Sequence, residues 1–495
     1  SFHYRSSANM FSRARVVCGR RGVIAVASGL AAGEAFHRKQ RRRTLLAEAR
    51  SLDVVVVGGG IAGISTSLHL ARASKSVAVL ERQTCGSGAT GLSCATIQVF
   101  GRGDRSDANA ELTAATKDTL ESLEKQGLDC GLVTCGCMEL VTHGDGELQW
   151  AEKRAAEMEK HGYDLSLLSP SEAIALEPTL IGAPIVAALY DRGSCYADPS
   201  ATMQALLAAA ERAGAVVYEN CTVTNGAAAG ASGRRWRIAT AAGNCFDCDD
   251  VVLCPGAWAA DVGRLFGVEL PIAKVKAQMY VAEGGSAISV NSTKGQQPLS
   301  HIIYCASSHA FWSSTSTQEP LHNVPNMVTH SSCGKRLCYH VYGRPAPDEG
   351  CIWLGGDRIP IPGTADDFVV DATLDAEHFE FMNTLLPSLG LKLAHEQALA
   401  QGRSGRQSWA GMVGPTMDGN CLIGEVDFVP GLWLCTGFGG SGFMKGVGAG
   451  RVVGSWISGR NDDASSSGGG SGAETFAAVK AKFEPSCRVR ACVSS

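Results

Sequence analysis

The chain has 495 residues, a formal net charge of −4, 45% hydrophobic residues and 59 glycines. A chain of this length has room for two or three domains of about 150 residues each, and its composition suits a well-cored α/β protein with many tight turns. The small net charge argues against a nucleic-acid-binding protein.

The first 50 residues differ from the rest in charge. They contain eleven Lys or Arg residues and only two acidic residues, Glu34 and Glu48. An Arg-rich, acid-poor segment with Ser and Ala is typical of an organelle transit peptide, so we predict a basic targeting segment over 1–50 and a mitochondrial location. A secretory signal, a membrane anchor and a disordered basic tail on a cytoplasmic protein are the alternatives. The apolar piece 22–32 is too short to span a bilayer, and no later stretch approaches roughly 18 uninterrupted apolar residues, so we predict no transmembrane span.

Residues 53–82, DVVVVGGGIAGISTSLHLARASKSVAVLER, predict a strand–turn–helix–strand unit. The run 54–57 is short and β-branched, which is typical of a strand buried on both faces. Apolar residues at helical spacing follow the glycines, and a second apolar strand over 77–80 ends at Glu81.

Three glycines of this unit, Gly58, Gly60 and Gly63, stand in G-x-G-x-x-G register. The first makes a tight turn, the second lets the backbone approach a pyrophosphate, and the third lets the helix pack on the strand. The helix N-terminus offers N–H groups and a positive dipole end to the phosphates. Glu81 follows at the distance where an acid accepts a ribose hydroxyl, about 20 residues on. An acid at this position favours NAD or FAD over NADP.

The cysteines show no ligand framework. There are nineteen, and their only close pairs are Cys135 with Cys137 and Cys245 with Cys248. A structural zinc needs four ligands, usually from two such pairs in one site, so we predict no metal centre and expect reduced thiols.

Residues 198–258 repeat the alternation of helix and strand. Asp198 precedes a proline and an amphipathic helix through Ala213, as an N-cap residue does. Strands are predicted at 216–218 and 221–224. The stretch DVVLCPGAW, residues 250–258, predicts another strand that enters a glycine turn. We interpret this resumption as the return of the chain to the dinucleotide domain.

A second strand-to-helix turn lies near the C-terminal end. WLCTGFGGSGFMK, residues 433–445, predicts a strand that enters a glycine turn, followed by a helix of small residues over 446–457. The N-terminus of that helix is a second site for an anion or a dipole. SSSGGGSG, residues 465–472, is typical of a flexible linker.

Four blocks in this order resemble one enzyme superfamily. They are GGGIAGIS with VLER and GSGATGLS; CYADPSATMQALLAAAERAGA; VVLCPGAWA with PIAKVKAQMYVAE; and WAGMVGPTMDGNCLIGE with GLWLCTGFGGSGFMKGVGAGRVVGSWISG. Together they resemble the FAD-dependent amine and amino-acid oxidoreductases, the superfamily of D-amino-acid oxidase, glycine oxidase, sarcosine oxidase and dimethylglycine dehydrogenase. The resemblance spans about residues 50–485.

The resemblance implies an α/β fold with a discontinuous, Rossmann-like FAD-binding domain and an interleaved substrate domain built on a mixed sheet. We assign the FAD-binding domain to 51–135, 195–270 and 400–460, and the substrate domain to 136–194 and 271–399. Residues 461–495 are assigned to a flexible linker and C-terminal tail.

The resemblance also implies the residues that bind FAD, without a covalent bond. The glycine turn cradles the pyrophosphate, Glu81 takes the adenosine ribose, and the second glycine turn presents backbone N–H groups to the pyrimidine end of the flavin. The full implied set is Gly58, Gly60, Ile61, Ala62, Gly63, Glu81, Arg82, Ser87, Gly88, Ala89, Thr90, Val223, Gly256, Trp258, Asp418, Gly439, Gly440, Ser441, Gly442, Phe443 and Met444.

The implied reaction is FAD-dependent oxidation of an amine or amino acid. The flavin takes a hydride from the carbon that bears the amine, and the resulting imine is hydrolysed. The expected partners are a small-molecule amine or amino acid and a mitochondrial electron acceptor or complex, with no nucleic acid.

The substrate-binding positions depart from those of the relatives. Val413 stands where glycine and D-amino-acid oxidases have an arginine, and Met444 stands where sarcosine oxidases have a lysine. Trp353 takes the position of the oxygen-activating lysine of sarcosine oxidases, which favours a dehydrogenase over an oxidase. Leu92 lies near the position of the histidine that holds flavin covalently in dimethylglycine dehydrogenase-type members, hence the expectation of noncovalent FAD.

Three residues are the catalytic candidates: Tyr342 and Arg344 in a Y-x-R-P match, and Lys445 after Met444. An ordinary sheet tyrosine and a solvated arginine are the alternatives for the first two. Arg102 and Arg406 are alternative carboxylate ligands, because arginine offers bidentate recognition. His340 is a candidate base, with a core hydrogen bond as its alternative role.

A second reading is an FAD-containing protein with no small amine substrate. Some mitochondrial relatives with a segment similar to GATGLS serve the assembly of respiratory complex I, and there the cofactor is chiefly structural. A third reading keeps the dinucleotide fold with NAD in place of FAD.

Overall fold

The computed structural model describes residues 50–98, 107–142, 146–160, 162–230, 233–283, 299–305, 316–317, 327–330, 336–338, 341–346, 351–361, 366–393, 408–416, 418–459, 479–485 and 488–492. Residues 1–49 of the predicted targeting segment, the predicted linker 465–472 and the candidates Arg102, His340 and Arg406 lie outside these residues, whereas Arg50, assigned to that segment, begins the first strand.

The helices, numbered in chain order, are α1 (Ile61–Arg72), α2 (Asp107–Lys125), α3 (Gly146–Lys160), α4 (Pro170–Leu176), α5 (Pro199–Ala213), α6 (Ala259–Arg264), α7 (Ala372–Leu385) and α8 (Gly442–Ser458). Short 3-10 turns lie at Pro178–Leu180, Gly256–Trp258 and Gly439–Ser441.

The strands are β1 (Arg50–Val57), β2 (Val77–Leu80), β3 (Thr96–Ile97), β4 (Val133–Thr134), β5 (Cys137–Val141), β6 (Leu165–Leu168), β7 (Ala187–Asp191), β8 (Cys195–Tyr196), β9 (Val216–Tyr218), β10 (Val223–Ala228), β11 (Trp236–Thr240), β12 (Cys245–Leu253), β13 (Val268–Glu269), β14 (Val275–Glu283), β15 (Ile302–Cys305), β16 (Ser316–Thr317), β17 (Met327–His330), β18 (Arg336–Cys338), β19 (Val341–Pro345), β20 (Cys351–Pro360), β21 (Lys392–Leu393), β22 (Ser408–Val413), β23 (Leu422–Glu425), β24 (Leu432–Thr436) and β25 (Arg490–Ala491).

The first sheet has a parallel centre in the order β9-β2-β1-β12-β24. The chain runs from β1 to β2 on one side, whereas β12 and β24 lie on the other side. The strand order therefore reverses at β1, and ligands of such sheets bind in the crevice at the carboxyl ends of the strands. Antiparallel β10 and β11 extend the sheet beside the first half of β12.

Helix α1 covers this sheet together with α5 and α8. All four valines of β1 from Val54 to Val57 are buried, as the apolar run predicts. Asp198 caps α5 by accepting hydrogen bonds from the N–H groups of Ser200 and Ala201 at 2.9 and 2.8 Å. Helices α1 and α8 pack so closely at Gly450 that a Cβ there would lie 2.6 Å from the backbone N of Thr66.

The second sheet is mixed and has the order β21-β14-β20-β19-β15-β5-β7-β6, with β22 also paired to β14. Its strands come from both sides of β8–β12 in the chain, so the two sheets interleave along the sequence. Strand β22 falls within the segment 400–460, yet it pairs with β14 of the second sheet. The predicted α/β class, with a Rossmann-like βαβ unit and a separate mixed sheet, is confirmed.

The described residues include no helix that is both long enough and apolar enough to cross a bilayer.

Candidate functional site

A cleft opens at the carboxyl ends of β1, β12 and β24. It has two connected halves that share Gly60, Thr90 and Gly256 in their walls. The proximal half, of about 870 Å³, is lined by the first glycine turn, residues 80–90, residues 221–223 and the turn after β12. The distal half, of about 1030 Å³, is lined by residues 89–90 and 92–96, by residues 411–414 and by residues 435–440 and 442–444. Gly60 and Gly440 therefore border one cleft.

The three glycines of the G-x-G-x-x-G turn are each required, or tolerated, for a different steric reason. Gly58 has φ +108°, and a Cβ there would lie 2.4 Å from the carbonyl oxygen of Cys254. A Cβ on Gly63 would lie 2.0 Å from the carbonyl oxygen of Gly58, so only glycine allows α1 to approach the turn. At Gly60 the nearest atom to such a Cβ is Thr90 Oγ1 at 3.4 Å, and this glycine faces the cleft.

The N-terminus of α1 is directed at the cleft. Gly60 is its N-cap and supplies no side-chain acceptor. Ile61 N–H donates to Thr90 Oγ1 at 3.2 Å, which ties the loop 84–93 to the helix end. The first turn of the helix thus presents backbone donors and the positive end of its dipole to the space between the two walls.

Glu81 is fixed at the end of β2. Its Oε2 accepts a hydrogen bond from Gly59 N–H at 2.7 Å, and its Oε1 accepts one from Gln83 N–H at 2.7 Å. Two backbone donors orient a carboxylate that also lines the proximal half. A carboxylate oxygen accepts more than one hydrogen bond, so Glu81 retains acceptor capacity for a hydroxyl in the cleft.

The second glycine turn forms one wall of the distal half. Helix α8 follows it, and its N-cap Ser441 makes no side-chain cap. Thr436 precedes the turn at the end of β24. Its side chain is 1% exposed, and its hydroxyl has no hydrogen-bond partner within the part of the chain that the structure describes. A buried hydroxyl without a partner is costly, so Thr436 is a polar group that a ligand of the cleft would satisfy.

The opposite wall of the distal half is uncharged. It consists of Leu92, Ala277, Met279, Tyr342 and residues 411–414. The Tyr342 hydroxyl donates to Met279 Sδ at 3.2 Å. No Asp, Glu, Lys, Arg or His side chain is found among the described residues that line this half.

Arg344 lies behind this wall. It is 2% exposed, and its guanidinium donates to the carbonyl oxygens of Cys94 and Pro345 at 2.7 and 2.6 Å. Its planar group lies between the rings of Tyr196 and Trp353, 4.4 and 4.2 Å from their centroids. Burial lowers the pKa of Arg344 from its ordinary value. Arg344 supports the backbone of Cys94, which itself lines the cleft.

Four other candidates do not line the cleft. Lys445 is buried on α8, where its neighbours Phe443 and Met444 face the cleft instead. Asp418 pairs with Arg488 at 2.6 Å. The Ser441 hydroxyl donates to the carbonyl of Phe438 at 2.8 Å, and Gly63 serves packing.

All the other residues implied to bind FAD line one half or both. They are Gly58, Gly60, Ile61, Ala62, Glu81, Arg82, Ser87, Gly88, Ala89, Thr90, Val223, Gly256, Trp258, Gly439, Gly440, Gly442, Phe443 and Met444.

The sequence reasoning missed several lining residues, including Cys94, Ala277, Met279 and Thr436. Only Thr436 carried a signal, since it is a hydroxyl residue between a buried strand and a glycine turn. The others come from β14 and from the segment after Leu92, whose position depends on how the two sheets meet.

Comparison with known proteins gives a consistent result. A model of the family described as DAO, FAD dependent oxidoreductase, matches residues 53–456. Glycine oxidase of Geobacillus kaustophilus is 29% identical over 238 residues, which cover 46% of this chain and 60% of that protein. Human mitochondrial sarcosine dehydrogenase is 27% identical over 427 residues, which cover 82% of this chain and 39% of that protein. The chain thus spans about 60% of the first relative's length and about 39% of the second's.

Solved structures are similar in fold. The crystal structure of glycine oxidase from Geobacillus kaustophilus has a TM-score of 0.64 at 22% identity, over 84% of this chain and 96% of that one. The crystal structure of L-proline dehydrogenase from P. horikoshii has a TM-score of 0.64 at 20% identity, over the same shares of the two chains.

Proposed function

The chain belongs to the DAO family of FAD dependent oxidoreductases, as its sequence blocks predicted, and on that premise we propose that it oxidises a small amine or amino acid with noncovalently bound FAD. The observation that carries this proposal is the common cleft between the two glycine turns, with Gly60 at one end and Gly440 at the other. We further propose a mitochondrial location, supported by the basic segment 1–50 and by the mitochondrial sarcosine and dimethylglycine dehydrogenases among its relatives.

The described residues fit FAD at both ends of the cleft. Gly60 leaves room for a pyrophosphate against the N-terminus of α1, and Glu81 is oriented to accept hydroxyl groups of a ribose. At the other end, the Thr436 hydroxyl has no hydrogen-bond partner among the described residues, and an atom of the cofactor would supply one. Leu92 lines the distal half. A leucine cannot form a covalent bond to flavin, which supports a noncovalent cofactor.

When bound, FAD supplies the hydride acceptor of the reaction. The chain supplies the electrostatic environment, because the N-terminus of α8 points its positive dipole end at the distal half. A helix N-terminus stabilises negative charge that develops beside it, and it does so without reorganisation. In this role Gly439, Gly440 and Gly442 matter for their backbone N–H groups, since they have no side chains.

The substrate would lie between the second glycine turn and the uncharged wall of the distal half. Met279, Tyr342 and Val413 would orient it by apolar contact and exclude water from the reacting carbon. Val413 offers no charge at the position where glycine oxidases have an arginine. We therefore propose that glycine is a poor substrate. Trp353 is buried and uncharged, and the Arg344 guanidinium beside it lies behind the wall rather than in the cleft. The absence of a lysine at this position supports a dehydrogenase rather than an oxidase.

The visible spectrum of the purified protein, followed by anaerobic reduction, tests the proposal. We expect a flavin spectrum, and bleaching by at least one member of a panel of N-methyl and free amino acids. A colourless native preparation would contradict the FAD assignment. A yellow protein that no amine bleaches would contradict the enzyme proposal and favour a structural role for FAD in an assembly protein.

A matched variant tests the substrate side. Val413→Arg adds a carboxylate ligand to the distal wall, and Val413→Met is the uncharged control of similar length. We expect glycine to perturb the flavin spectrum of Val413→Arg and to leave that of Val413→Met unchanged. Identical titrations of the two variants would show that position 413 does not face the substrate.

A further inference from the structure

Residues 366–371, which we call the strap, lie against β14. Every second side chain from Lys274 to Gln278 forms a hydrogen bond with the strap. Lys274 Nζ donates to Asp366 at 3.0 Å, and Lys276 Nζ donates to Asp367 and to the carbonyl of Val369, both at 2.7 Å. Gln278 accepts a hydrogen bond from Asp371 N–H at 2.6 Å. The strap thus runs alongside β14 and bonds to alternate residues, while Ala277 and Met279 between and after them line the cleft.

The Asp366 side chain extends from the strap to residues that line the proximal half. Its Oδ1 accepts a hydrogen bond from the indole N–H of Trp258 at 2.8 Å, besides the one from Lys274. Its Oδ2 lies 4.0 Å from a guanidinium nitrogen of Arg82. Asp366 therefore contacts two residues that line the proximal half, Arg82 after β2 and Trp258 after β12.

Arg82 and Trp258 also contact each other. The guanidinium carbon of Arg82 lies 4.3 Å from the centroid of the Trp258 ring. Arg82 follows β2, whereas Trp258 follows β12, so this stack bridges the turns after the two strands that flank β1. Gly88 lies beneath the indole, since a Cβ there would be 3.7 Å from it. Both members of the stack line the groove in which the adenosine diphosphate part of FAD would lie.

We propose that Asp366 is a positioning residue that latches the Arg82–Trp258 stack over bound FAD and so sets the rate at which the cofactor leaves. The proposal rests on the FAD assignment, but not on the identity of the substrate. The carboxylate fixes the indole by a hydrogen bond and holds Arg82 by charge, and both constraints must be released before the groove can open.

Two adjacent aspartates give a matched test. Asp366→Asn removes the charge that faces Arg82 and weakens the bonds to Trp258 and Lys274. Asp367→Asn makes the same chemical change one residue later, where the carboxylate accepts hydrogen bonds from Lys276 Nζ and from the N–H of Val369. Lys276 keeps its bond to Val369 in that variant, so the strap stays attached.

The measurement is the rate of FAD release from the holoprotein, followed by the rise of flavin fluorescence after dilution. We expect Asp366→Asn to release FAD about tenfold faster, as the loss of roughly one charge-assisted hydrogen bond would give. Asp367→Asn should release it at the wild-type rate, and Asp366→Glu should recover part of the slow release. The thermal midpoint of the apoprotein should not differ between the two Asn variants.

Equal release rates for Asp366→Asn and the wild type would overturn the proposal, and so would an equal acceleration by both Asn variants. Trp258→Phe gives a second result, because it keeps an aromatic ring for Arg82 while removing the indole N–H from which Asp366 accepts a hydrogen bond, together with the rest of the five-membered ring. Wild-type release from Trp258→Phe would likewise overturn it. No substrate is added in these experiments, so they do not depend on whether any amine reduces the flavin.

Discussion

The two halves of the cleft are built by different means. In the proximal half the floor of the groove is shaped by backbone, at the turn of Gly58 and at the approach of α1 at Gly63, whereas the side chains of Glu81, Arg82 and Trp258 complete its walls. In the distal half, side chains from β14, β19 and β22 form the wall, and a buried arginine supports it from behind. A groove made by backbone tolerates few substitutions at its glycines, whereas a wall made by side chains can change its chemistry while the fold is kept.

The largest effect is expected in the proximal half, at Gly63. Gly63→Ala places a Cβ 2.0 Å from the carbonyl oxygen of Gly58. Because both partners are backbone, neither can rotate away, and we expect a loss of more than about 3 kcal/mol in the free energy of unfolding. Urea denaturation of the apoprotein measures this loss.

Gly60→Ala is the control for that change. Its Cβ meets only Thr90 Oγ1 at 3.4 Å, so the apoprotein should keep its stability to within about 0.5 kcal/mol. The added methyl group points into the groove, and we expect FAD affinity to fall by about tenfold or more. If Gly60→Ala bound FAD as tightly as the wild type, the cofactor would not lie against this turn. The proximal half would then not be a cofactor groove shaped by backbone.

Arg344 tests the distal half. Arg344→Lys keeps the charge, but an ammonium group cannot donate to both carbonyls in the same plane or stack between Tyr196 and Trp353. We expect a loss of about 2 kcal/mol in unfolding free energy, because a buried acceptor is left without its donor. The exposed Arg192, whose guanidinium lies 5.7 Å from the Tyr190 ring, is the control, and Arg192→Lys should change stability by less than about 0.5 kcal/mol.

A direct role of Arg344 in substrate binding would contradict its assignment as a support of the distal wall. If Arg344 bound the substrate carboxylate, Arg344→Lys would raise KM many-fold and leave the urea midpoint unchanged. The two readouts, taken on one preparation, separate a supporting residue from a substrate ligand.

The proximal half was largely predictable from sequence because its signals are local. Glycine spacing, the valine run and the position of Glu81 all lie within about 30 consecutive residues. Met279 and Tyr342 come together only through the pairing of β14 with β20 and of β20 with β19. No local pattern encodes that register. Arg344 carried a chemical signal, but the sequence does not say whether an arginine faces a cavity or the layer behind it.

Glu177 forms a buried polar cluster that lines neither half of the cleft. Its carboxylate accepts hydrogen bonds from Thr179 Oγ1 at 2.6 Å, from the N–H of Ser300 at 2.9 Å and from His301 Nδ1 at 3.0 Å. Burial alone would raise the pKa of Glu177, but the hydrogen bonds from His301, Thr179 and Ser300 outweigh it and lower the pKa below its ordinary value.

A lowered folded-state pKa means that the stabilisation by Glu177 is complete above the pKa of the unfolded chain and is lost as the pH falls through the folded value. We expect Glu177→Gln to cost about 1–2 kcal/mol near pH 5, with the difference from wild type shrinking as the pH falls below about 4.5. Urea midpoints over this range measure it. Glu121→Gln, on a partly exposed pair with Lys117 at 3.8 Å, should show a difference below about 0.5 kcal/mol throughout. A Glu177→Gln difference that stayed constant in acid would contradict the assigned ionisation.

The smallest effect is expected at Asp418, which the family resemblance implied as an FAD residue. Its side chain is 47% exposed and pairs with Arg488, and it also accepts a hydrogen bond from Asn420 N–H at 3.1 Å. Asp418→Asn keeps the acceptor oxygen and removes the charge from the exposed side of the pair, and Arg488 keeps its bonds to the carbonyls of Cys421 and Asn420, so stability should change by less than about 1 kcal/mol. Because Asp418 does not line either half of the cleft, the affinity for FAD and the flavin spectrum should match those of the wild type. A tenfold fall in FAD affinity would mean that the turn after β22 reaches the cofactor in the holoprotein, and Asp418 would then join Glu81 as a carboxylate of the groove.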